Sequence, residues 1–380
     1  MAQEYSSRDD IAWEGRIQKL VEVLAAHAPQ LQSLEYRDPC IKATHTHLAL
    51  PPQLGQLSRL TKLDIGIGSA SVSTTQINAM LGNLPSLQHL RLQFRKLYCL
   101  EGEFFLGIVT SCAELKHLGI NGVWVQNAFP PEIGFLTRLT SLVVENCEPL
   151  SLPDSISQLT DLQALTLEES YSEAGMSALP PSLTACQQLT SLVINHKEKS
   201  PVLAKLQSLR SLSVEVVGMD TDDDIFWPHL IGLTELKLEF YLCNTNLTGL
   251  TGMTSLRSLT ICMALPCHLP PGPYLSRLET LHFEYCSLVD GLPACLAAAT
   301  QLHHLYILNE GYGDGNIDLS DAEIAVLIAI PLDRLVLRKP RRMEQAAWDE
   351  RLALLRVAYN ERGRIIPVIC ESMGLFVIRD

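Results

Sequence analysis

Five cysteine and histidine residues in the second half of the sequence have the chemistry to bind a metal ion: Cys262, Cys267, His268, His282 and Cys286. Thiolate sulfur and imidazole nitrogen are the usual ligands of structural zinc. The Cys-x4-Cys gap between the first two cysteines is loose for such a site, and no second tight pair follows it. We therefore interpret these side chains as structural and predict no metal.

A glycine-rich segment, GYGDGNIDLSDAE (residues 311–323), has the composition of a calcium loop. A loop that begins at Asp314 would need glycine at the position of Leu319 and a bidentate glutamate at the position of Ala325. The calcium pattern therefore fails. The segment instead predicts a turn followed by a helix, which opens with a capping box formed by Ser320 and Glu323.

Signatures of the common enzyme classes are absent from the sequence. We find no G-x-S-x-G nucleophile elbow, P-loop, H-E-x-x-H metal helix or kinase signature. The sequence therefore predicts a protein that is not an enzyme and has no cofactor. The enzyme alternative would depend on the loop at 311–323 or on the cysteine and histidine group.

Composition favours an acidic folded protein. The chain has 380 residues, of which 47% are hydrophobic, with a formal net charge of −13 and an isoelectric point of about 5.3. This hydrophobic content is enough for a large buried core. The negative charge argues against binding to nucleic acid or to an anionic membrane surface. It favours a protein partner with a basic surface.

Three sequence features indicate a location inside the cell. The eleven cysteines are an odd number without a C-x-x-C pair, which favours reduced thiols. The N-terminal residues lack a basic segment followed by an apolar run, so we expect no secretory signal. The longest apolar run, at 322–332, is too short to span a membrane. We predict a cytoplasmic protein, with the cytoskeleton or ciliary axoneme and the nucleus as alternatives.

The elements that must position any functional side chain come from an internal repeat. The pattern L-x-x-L-x-(apolar) occurs thirteen times, at intervals of 20 to 30 residues. The copies begin at Leu31, Leu60, Leu87, Leu115, Leu139, Leu162, Leu189, Leu209, Leu233, Leu256, Leu278, Leu302 and Leu332. A period near 25 residues is typical of stacked strand-and-helix repeats.

One copy, SLPDSISQLTDLQALTLEES (residues 151–170), shows how each repeat folds. Its apolar residues first recur at helical spacing and then alternate at Leu165 and Leu167. We expect a short strand with these two leucines turned inward, and a return segment that faces the same core. Pro153 suits the start of the return segment, where a missing N–H does little harm.

This pattern resembles the leucine-rich repeat family over about residues 20–340. Repeats with a Leu-Pro element, such as SLPDSISQL, resemble those of plant intracellular Ras-group proteins. Others, such as IVTSCAELKHLGI, resemble the repeats of F-box proteins. The family often has Asn or Cys at the ninth position, and here only Cys147 and Cys286 fit. The resemblance implies a right-handed α/β solenoid, or horseshoe, of about thirteen repeats with a parallel sheet on its concave face.

The two ends of the repeat array are expected to carry capping elements. We predict an N-terminal capping helix in residues 1–30, repeats over 31–340 and a C-terminal cap over 341–380. The C-terminal cap should contain a helix followed by short strands. Its buried side should carry four residues at helical spacing: Trp348, Leu352, Leu355 and Tyr359.

A column of glutamates is the main candidate for a binding surface. The residue six after the first leucine of a repeat should face outward on the concave sheet, and from Glu145 to Glu284 five of seven such residues are Glu. The alternative is an acidic face that only keeps the protein soluble. The predicted partner-binding residues are Glu145, Glu168, Glu169, Glu215, Glu235, Glu239, Phe240, Glu284, Tyr285 and Tyr306.

The family resemblance implies a protein-interaction scaffold, for example in signalling. A substrate-recognition subunit of a ubiquitin ligase is one alternative, although an F-box needs about forty residues and only some thirty precede Leu31. A structural component of the cytoskeleton or axoneme is another.

Overall fold

The computed structural model describes residues 21–24, 26–28, 30–36, 52–67, 74–100, 102–125, 129–147, 151–168, 179–196, 201–217, 229–241, 247–288, 291–308, 317–340, 343–361 and 368–371, with Lys19 and Thr245. The chain divides into two compact units, Met1–Asn195 and His196–Asp380. We call them the first and the second unit.

The strands of the first unit pair in parallel, each with the next in sequence order. They are β1 (Ser33–Tyr36), β2 (Lys62–Ile67), β3 (His89–Leu100), β4 (His117–Val125), β5 (Ser141–Glu145), β6 (Ala164–Glu168) and β7 (Ser191–His196), which closes the unit.

The strands of the second unit follow the same rule of parallel pairing between sequence neighbours. They are β8 (Ser211–Val217), β9 (Glu235–Tyr241), β10 (Ser258–Cys262), β11 (Thr280–Glu284), β12 (His304–Leu308), β13 (Arg334–Arg338) and β14 (Val368–Glu371).

The predicted repeat phase is confirmed by the strand bounds. Each of the strands β1 to β13 begins two residues after the first leucine of its repeat. Strand β14 was not among the thirteen predicted repeats; it comes from the C-terminal segment and pairs with β13, with Leu335 opposite Val368. Parallel strands need a crossover connection, which the return segment of each repeat provides.

The return segments are shorter than full α-helices in most repeats. Three are α-helices: α1 (Thr74–Leu81), α2 (Gly102–Ser111) and α3 (Asp321–Ala329). The others described are 3-10 helices: Pro52–Gln56, Pro131–Phe135, Asp154–Gln158, Pro181–Ala185, Leu203–Lys205, Thr248–Gly252, Pro273–Arg277 and Ala294–Ala298. Pro153 lies immediately before one of them in extended conformation, as predicted. Few residues separate the Leu-Pro element from the next strand, which favours the short 3-10 form.

The core is built from leucines at the same register in neighbouring strands. Leu142, Leu165 and Leu192 lie side by side in register on β5, β6 and β7, and each is buried. Leu167 is also buried, so both inward assignments of that repeat are confirmed. Each such leucine contributes about 1.5 to 3 kcal/mol of apolar burial. Stacking therefore buries a face that one repeat alone would leave exposed.

The turn that follows a strand has the same backbone conformation in three repeats. Asn146, Met263 and Tyr285 directly follow β5, β10 and β11, and their φ angles are 52°, 54° and 54°. This left-handed conformation is unusual for residues other than glycine and marks a tight turn. The next residue is Cys147 after β5 and Cys286 after β11. Their thiols donate to backbone carbonyls, at 3.2 Å to Glu145 O and 3.1 Å to Ile261 O.

The capping box predicted at Ser320 is present at the start of α3. The Ser320 hydroxyl accepts a hydrogen bond from the backbone N–H of Glu323, and the Glu323 carboxylate accepts one from the Ser320 N–H. Glu323 is buried, and its other carboxylate oxygen accepts from the Leu292 N–H at 3.1 Å. One carboxylate thus fixes the helix to the turn of the preceding repeat.

A helix, α4 (Gln345–Glu361), lies near the C-terminal end of the described chain. It buries the four residues at helical spacing that the sequence indicates, and the Tyr359 hydroxyl donates to Leu327 O of α3 at 3.1 Å. Near the other end, residues 21–24 are helical and Val21 is buried. The capping roles of both ends remain predictions. Among the residues that the structure describes, no helix is both long and apolar enough to cross a membrane.

Candidate functional site on the outward face of the strands

In strands β2 to β13, the first, third and fifth residues lie on the side opposite the buried leucines, which we call the outward face. Strands β5 and β6 show the alternation directly, because their second and fourth residues are buried and the others are partly exposed. The predicted glutamate column is the fifth residue of these strands. Within the first unit, Glu145 lies opposite Glu168. Within the second unit, Glu215 lies opposite Glu239.

The structure places most of the predicted binding residues on this face. Five glutamates of the column are partly exposed: Glu145, Glu168, Glu215, Glu239 and Glu284. Glu235 is exposed at the start of β9, and Tyr306 is partly exposed in the middle of β12. Tyr285 is partly exposed in the turn after β11. Glu169 lies outside the described residues.

The prediction for Phe240 is wrong. This side chain is only 2% exposed, and it continues the buried set of Leu236 and Leu238 on β9. Residues on a strand alternate between the two faces, so the neighbour of an outward glutamate must turn inward. Val216, which pairs with Phe240 on β8, is buried in the same way. Phe240 is therefore a core residue.

Cys262 interrupts the column on the outward face. It lies between Glu239 and Glu284 in register, yet only 3% of it is exposed. Its thiol is 3.8 Å from the Glu284 carboxylate. Burial, partly opposed by the nearby Lys237 and reinforced by Glu284, raises the pKa of Cys262 to about 12. The thiol is therefore protonated and acts as a weak hydrogen-bond donor to the glutamate.

Glu145 of the first unit is held by two cross-strand hydrogen bonds. Arg91 of β3 and Asn121 of β4 each donate to the same carboxylate oxygen at 3.0 Å. Arg91 reaches β5 by lying across β4 at Gly119, where an added Cβ would be 2.9 Å from the Arg91 Cγ. The missing side chain at Gly119 therefore makes room for this ion pair.

Histidines extend the polar network of the first unit. The rings of His89 and His117 lie side by side with centroids 6.0 Å apart, and the His117 Nδ1 is 2.9 Å from the Ser141 hydroxyl. Burial, together with His89 and Arg91, lowers the pKa of His117. On β2, Asp64 is buried and accepts a hydrogen bond from Gln93 of β3 at 3.3 Å. Hydrogen bonds between side chains of neighbouring strands thus stabilise the outward face of β2 to β5.

The outward face of the second unit has a different arrangement. On β9, Lys237 is 3.3 Å from Glu239 of the same strand, with 47% and 33% of the two side chains exposed. Burial lowers the pKa of Lys237, but the carboxylates of Glu239 and Glu284 outweigh this effect, and the pKa is raised. Lys237 is therefore charged and neutralises part of the acidic column.

An aromatic and cationic row crosses β11, β12 and β13. The rings of His282 and Tyr306 have centroids 5.2 Å apart at an angle of 48°. The Arg334 guanidinium carbon lies 5.7 Å from the centre of the Tyr306 ring, which is within cation–π range. Tyr306 therefore lies between an imidazole and a guanidinium.

The described residues of this face do not form a set of metal ligands. Within the described ranges, no group of three or more His, Cys, Asp or Glu side chains is placed to hold a metal ion. Cys267 and Cys286 hydrogen-bond to each other instead, and this bond and burial raise the pKa of Cys267. Residues 311–316 of the glycine-rich segment lie outside the described residues.

Comparisons with known proteins bear on the fold. No protein-family model matches the sequence, and no curated protein matches it. A leucine-rich-repeat protein of Leptospira interrogans shares 18% identity over 92% of this chain and 98% of its own, with a TM-score of 0.46. Arabidopsis HAESA, solved with the peptide hormone IDA and SERK1, shares 16% identity over 81% of this chain and 47% of its own, with a TM-score of 0.46.

TLR13, solved in complex with ssRNA13, shares 16% identity over 84% of this chain and 49% of its own, with a TM-score of 0.51. The chain thus spans about half the length of the HAESA and TLR13 chains. The structural likeness agrees with the parallel strands that begin at a fixed position in each repeat. The chain has the leucine-rich-repeat fold.

The repeats also place charged and histidine side chains on the outward face that are not among the predicted binding residues. These are the outward residues at the first and third strand positions: Lys62, Asp64, His89, Arg91, His117, Lys237, His282, His304 and Arg334. The repeat phase was sufficient to find them. The first and third strand positions of the thirteen repeats contain four histidines and two arginines.

Proposed function

We propose that this protein is a non-enzymatic interaction scaffold that binds a basic segment of a partner protein on the outward face of its strands. The glutamates of the second unit, Glu215, Glu239 and Glu284, carry the binding. Glu145 and Glu168 occupy the same strand position in the first unit. Because Arg91 and Asn121 already bind the Glu145 carboxylate, its charge is largely compensated within the protein.

The observation that supports this proposal is the direct opposition of Glu215 and Glu239 on neighbouring strands. Neighbouring strands lie about 4.8 Å apart, so their carboxylates repel. A cationic side chain from a partner would relieve this repulsion. Lys237 compensates one charge, and Glu235 adds another exposed carboxylate on β9.

The state of two buried thiols supports a binding role rather than nucleophilic catalysis. Burial raises the pKa of Cys112 to about 12 and that of Cys186 to about 11. A buried thiol that stays protonated is a poor nucleophile. The described cysteines Cys112, Cys147, Cys186, Cys262, Cys267, Cys286 and Cys295 are in the thiol form. Reduced thiols suit the cytoplasm, where we propose that the protein functions.

Charge reversal on the outward face tests the proposal. The face variant carries Glu215→Lys, Glu239→Lys and Glu284→Lys. The matched control carries the same change of charge on α4 and at the residue before it, with Glu344→Lys, Glu350→Lys and Glu361→Lys, which are exposed positions. Partners are captured from lysate of the source cell and identified by mass spectrometry. Circular dichroism and the melting temperature verify folding of both variants.

We expect basic partner proteins to be recovered with the parent and with the helix variant, and lost with the face variant. An identical set of captured proteins with a folded face variant would contradict the proposal. Subcellular fractionation tests the location separately, and recovery in a secreted fraction would contradict it.

A further inference from the structure

The charge on the outward face of the second unit changes sign between its strands. The charged residues at the outward positions of β8, β9 and β10 are three glutamates and one lysine: Glu215, Glu235, Glu239 and Lys237. The ionisable residues at the outward positions of β11, β12 and β13, apart from Tyr306, are two arginines, two histidines and one glutamate: Arg334, Arg338, His282, His304 and Glu284. The face is therefore acidic at one side and basic and aromatic at the other.

The basic side is organised by stacking. Arg334 is exposed and packs with its guanidinium carbon 5.7 Å from the centre of the Tyr306 ring, and Tyr306 in turn packs against His282. A guanidinium stacked on a ring keeps its N–H groups in the plane of the fork, where they can donate to a carboxylate. Since Arg334 is always charged, this side attracts an anionic group at any physiological pH.

The acidic side is centred on β9. Glu235 is exposed at the first outward position, and Glu239 keeps 33% of its side chain exposed although it pairs with Lys237. The next outward position at the level of Glu239 is the buried thiol of Cys262 on β10, which is protonated. The negative charge of this side therefore lies mainly on β8 and β9.

The distance between the two sides sets the spacing that a ligand needs. Strands β9 and β13 are four strand spacings apart, which corresponds to roughly 19 Å at about 4.8 Å per strand. An extended peptide that crosses the strands advances about 3.4 Å per residue, so it covers this distance in roughly five or six residues.

We propose that the outward face of β9 to β13 binds an extended segment of a partner protein that carries basic side chains and, about five residues away, acidic side chains. The basic group lies over Glu235 and Glu239, and the acidic group accepts hydrogen bonds from Arg334. This inference rests on the proposed scaffold function and specifies its partner. A uniformly basic segment would place positive charge against Arg334, and a uniformly acidic one would place negative charge against β9.

Labelled peptides of defined charge spacing provide the test. Four fluorescein-labelled peptides in a Gly/Ser background carry two lysines and two aspartates separated by about five residues, the same four residues adjacent, lysines only, or aspartates only. Their dissociation constants for the full chain are measured by fluorescence anisotropy at low ionic strength. We expect the spaced peptide to bind about tenfold more tightly than the lysine-only peptide, which corresponds to about 1.4 kcal/mol.

A charge swap assigns the acidic group to its site. Arg334→Glu should remove the advantage of the spaced Lys–Asp peptide and create an equal advantage for a peptide with lysine in place of the aspartates. Arg277→Glu, at an exposed position in the 3-10 helix Pro273–Arg277, is the matched control and should change neither value.

The outcomes separate this inference from the scaffold function. If the lysine-only peptide binds as tightly as the spaced peptide, the acidic subsite is disproved while the basic-partner scaffold stands. If the adjacent and the spaced peptides bind equally, the distance is wrong and the inference fails. If the parent binds none of the peptides, both proposals fail.

Discussion

The two units bury the same positions of their strands, but their outward faces carry different side-chain contacts. In both, apolar residues at the second and fourth strand positions are buried, as Leu165 and Leu167 in β6 and Leu281 and Phe283 in β11 show. In the first unit, Arg91 and Asn121 bring hydrogen bonds from two other strands to Glu145. In the second unit, Lys237 pairs within its own strand, and Arg334 stacks on Tyr306. The repeat thus sets the framework, while the residues at the outward positions determine which contacts that face makes within the protein.

The shared buried face predicts equal and large losses of stability in the two units. Leu165→Ala and Leu281→Ala should each lower the free energy of unfolding by about 2 to 5 kcal/mol, because each leaves a cavity in an enclosed column. Thr166→Ala and Thr280→Ala, on the outward face, are the controls and should stay within about 0.5 kcal/mol. Denaturant titration measures all four, and an unchanged midpoint for either leucine variant would refute the inward assignment.

A larger side chain at Gly119 should cost more stability than the same kind of change at the equivalent position in the second unit. Gly119→Val places a side chain where the Arg91 Cγ lies, so Arg91 must move away from Glu145. We expect a loss of about 1 to 2 kcal/mol in the free energy of unfolding. Thr260→Val occupies the equivalent third position of β10 in the second unit and should cost less than about 0.5 kcal/mol. Equal losses at both positions would remove the distinction between the faces.

Removal of a single charge gives a smaller contrast. Glu145→Gln should cost about 1 kcal/mol, because Arg91 and Asn121 lose their charged acceptor. Glu239→Gln should cost at most about 0.5 kcal/mol, since its partner Lys237 is 47% exposed and screened by solvent. Denaturant titrations at low and high salt measure both. A larger loss for the second-unit variant would contradict the comparison.

The sequence was sufficient for features that depend on periodicity or local chemistry. The leucine spacing located strands β1 to β13, and Ser320 with Glu323 located the start of α3. It was not sufficient for features that depend on what covers a residue. Periodicity places Cys262 on the outward face but does not show that neighbouring side chains bury it. The wrong prediction for Phe240 has another cause. Strict alternation along the strand predicts that Phe240 faces inward.

The pH dependence of stability should show the smallest effect. Because the pKa of His117 is lowered from its ordinary 6.5, mainly by burial, the unfolded chain takes up a proton at this site before the folded protein does. Stability from this site is therefore full above pH 6.5 and is lost as the pH falls below it. His117→Gln should flatten this part of the profile of unfolding free energy against pH. A profile identical to that of the parent would show that His117 does not titrate in this way.

In our proposal, the outward face of the second unit receives the partner segment. Photo-crosslinking with the spaced Lys–Asp peptide, carrying a benzophenone midway between its charges, tests it most directly. Peptide mapping by mass spectrometry should place the adducts in β9 to β13, within residues 235–338, and excess unlabelled peptide should abolish them. Adducts concentrated in β2 to β5 of the first unit would contradict the proposal.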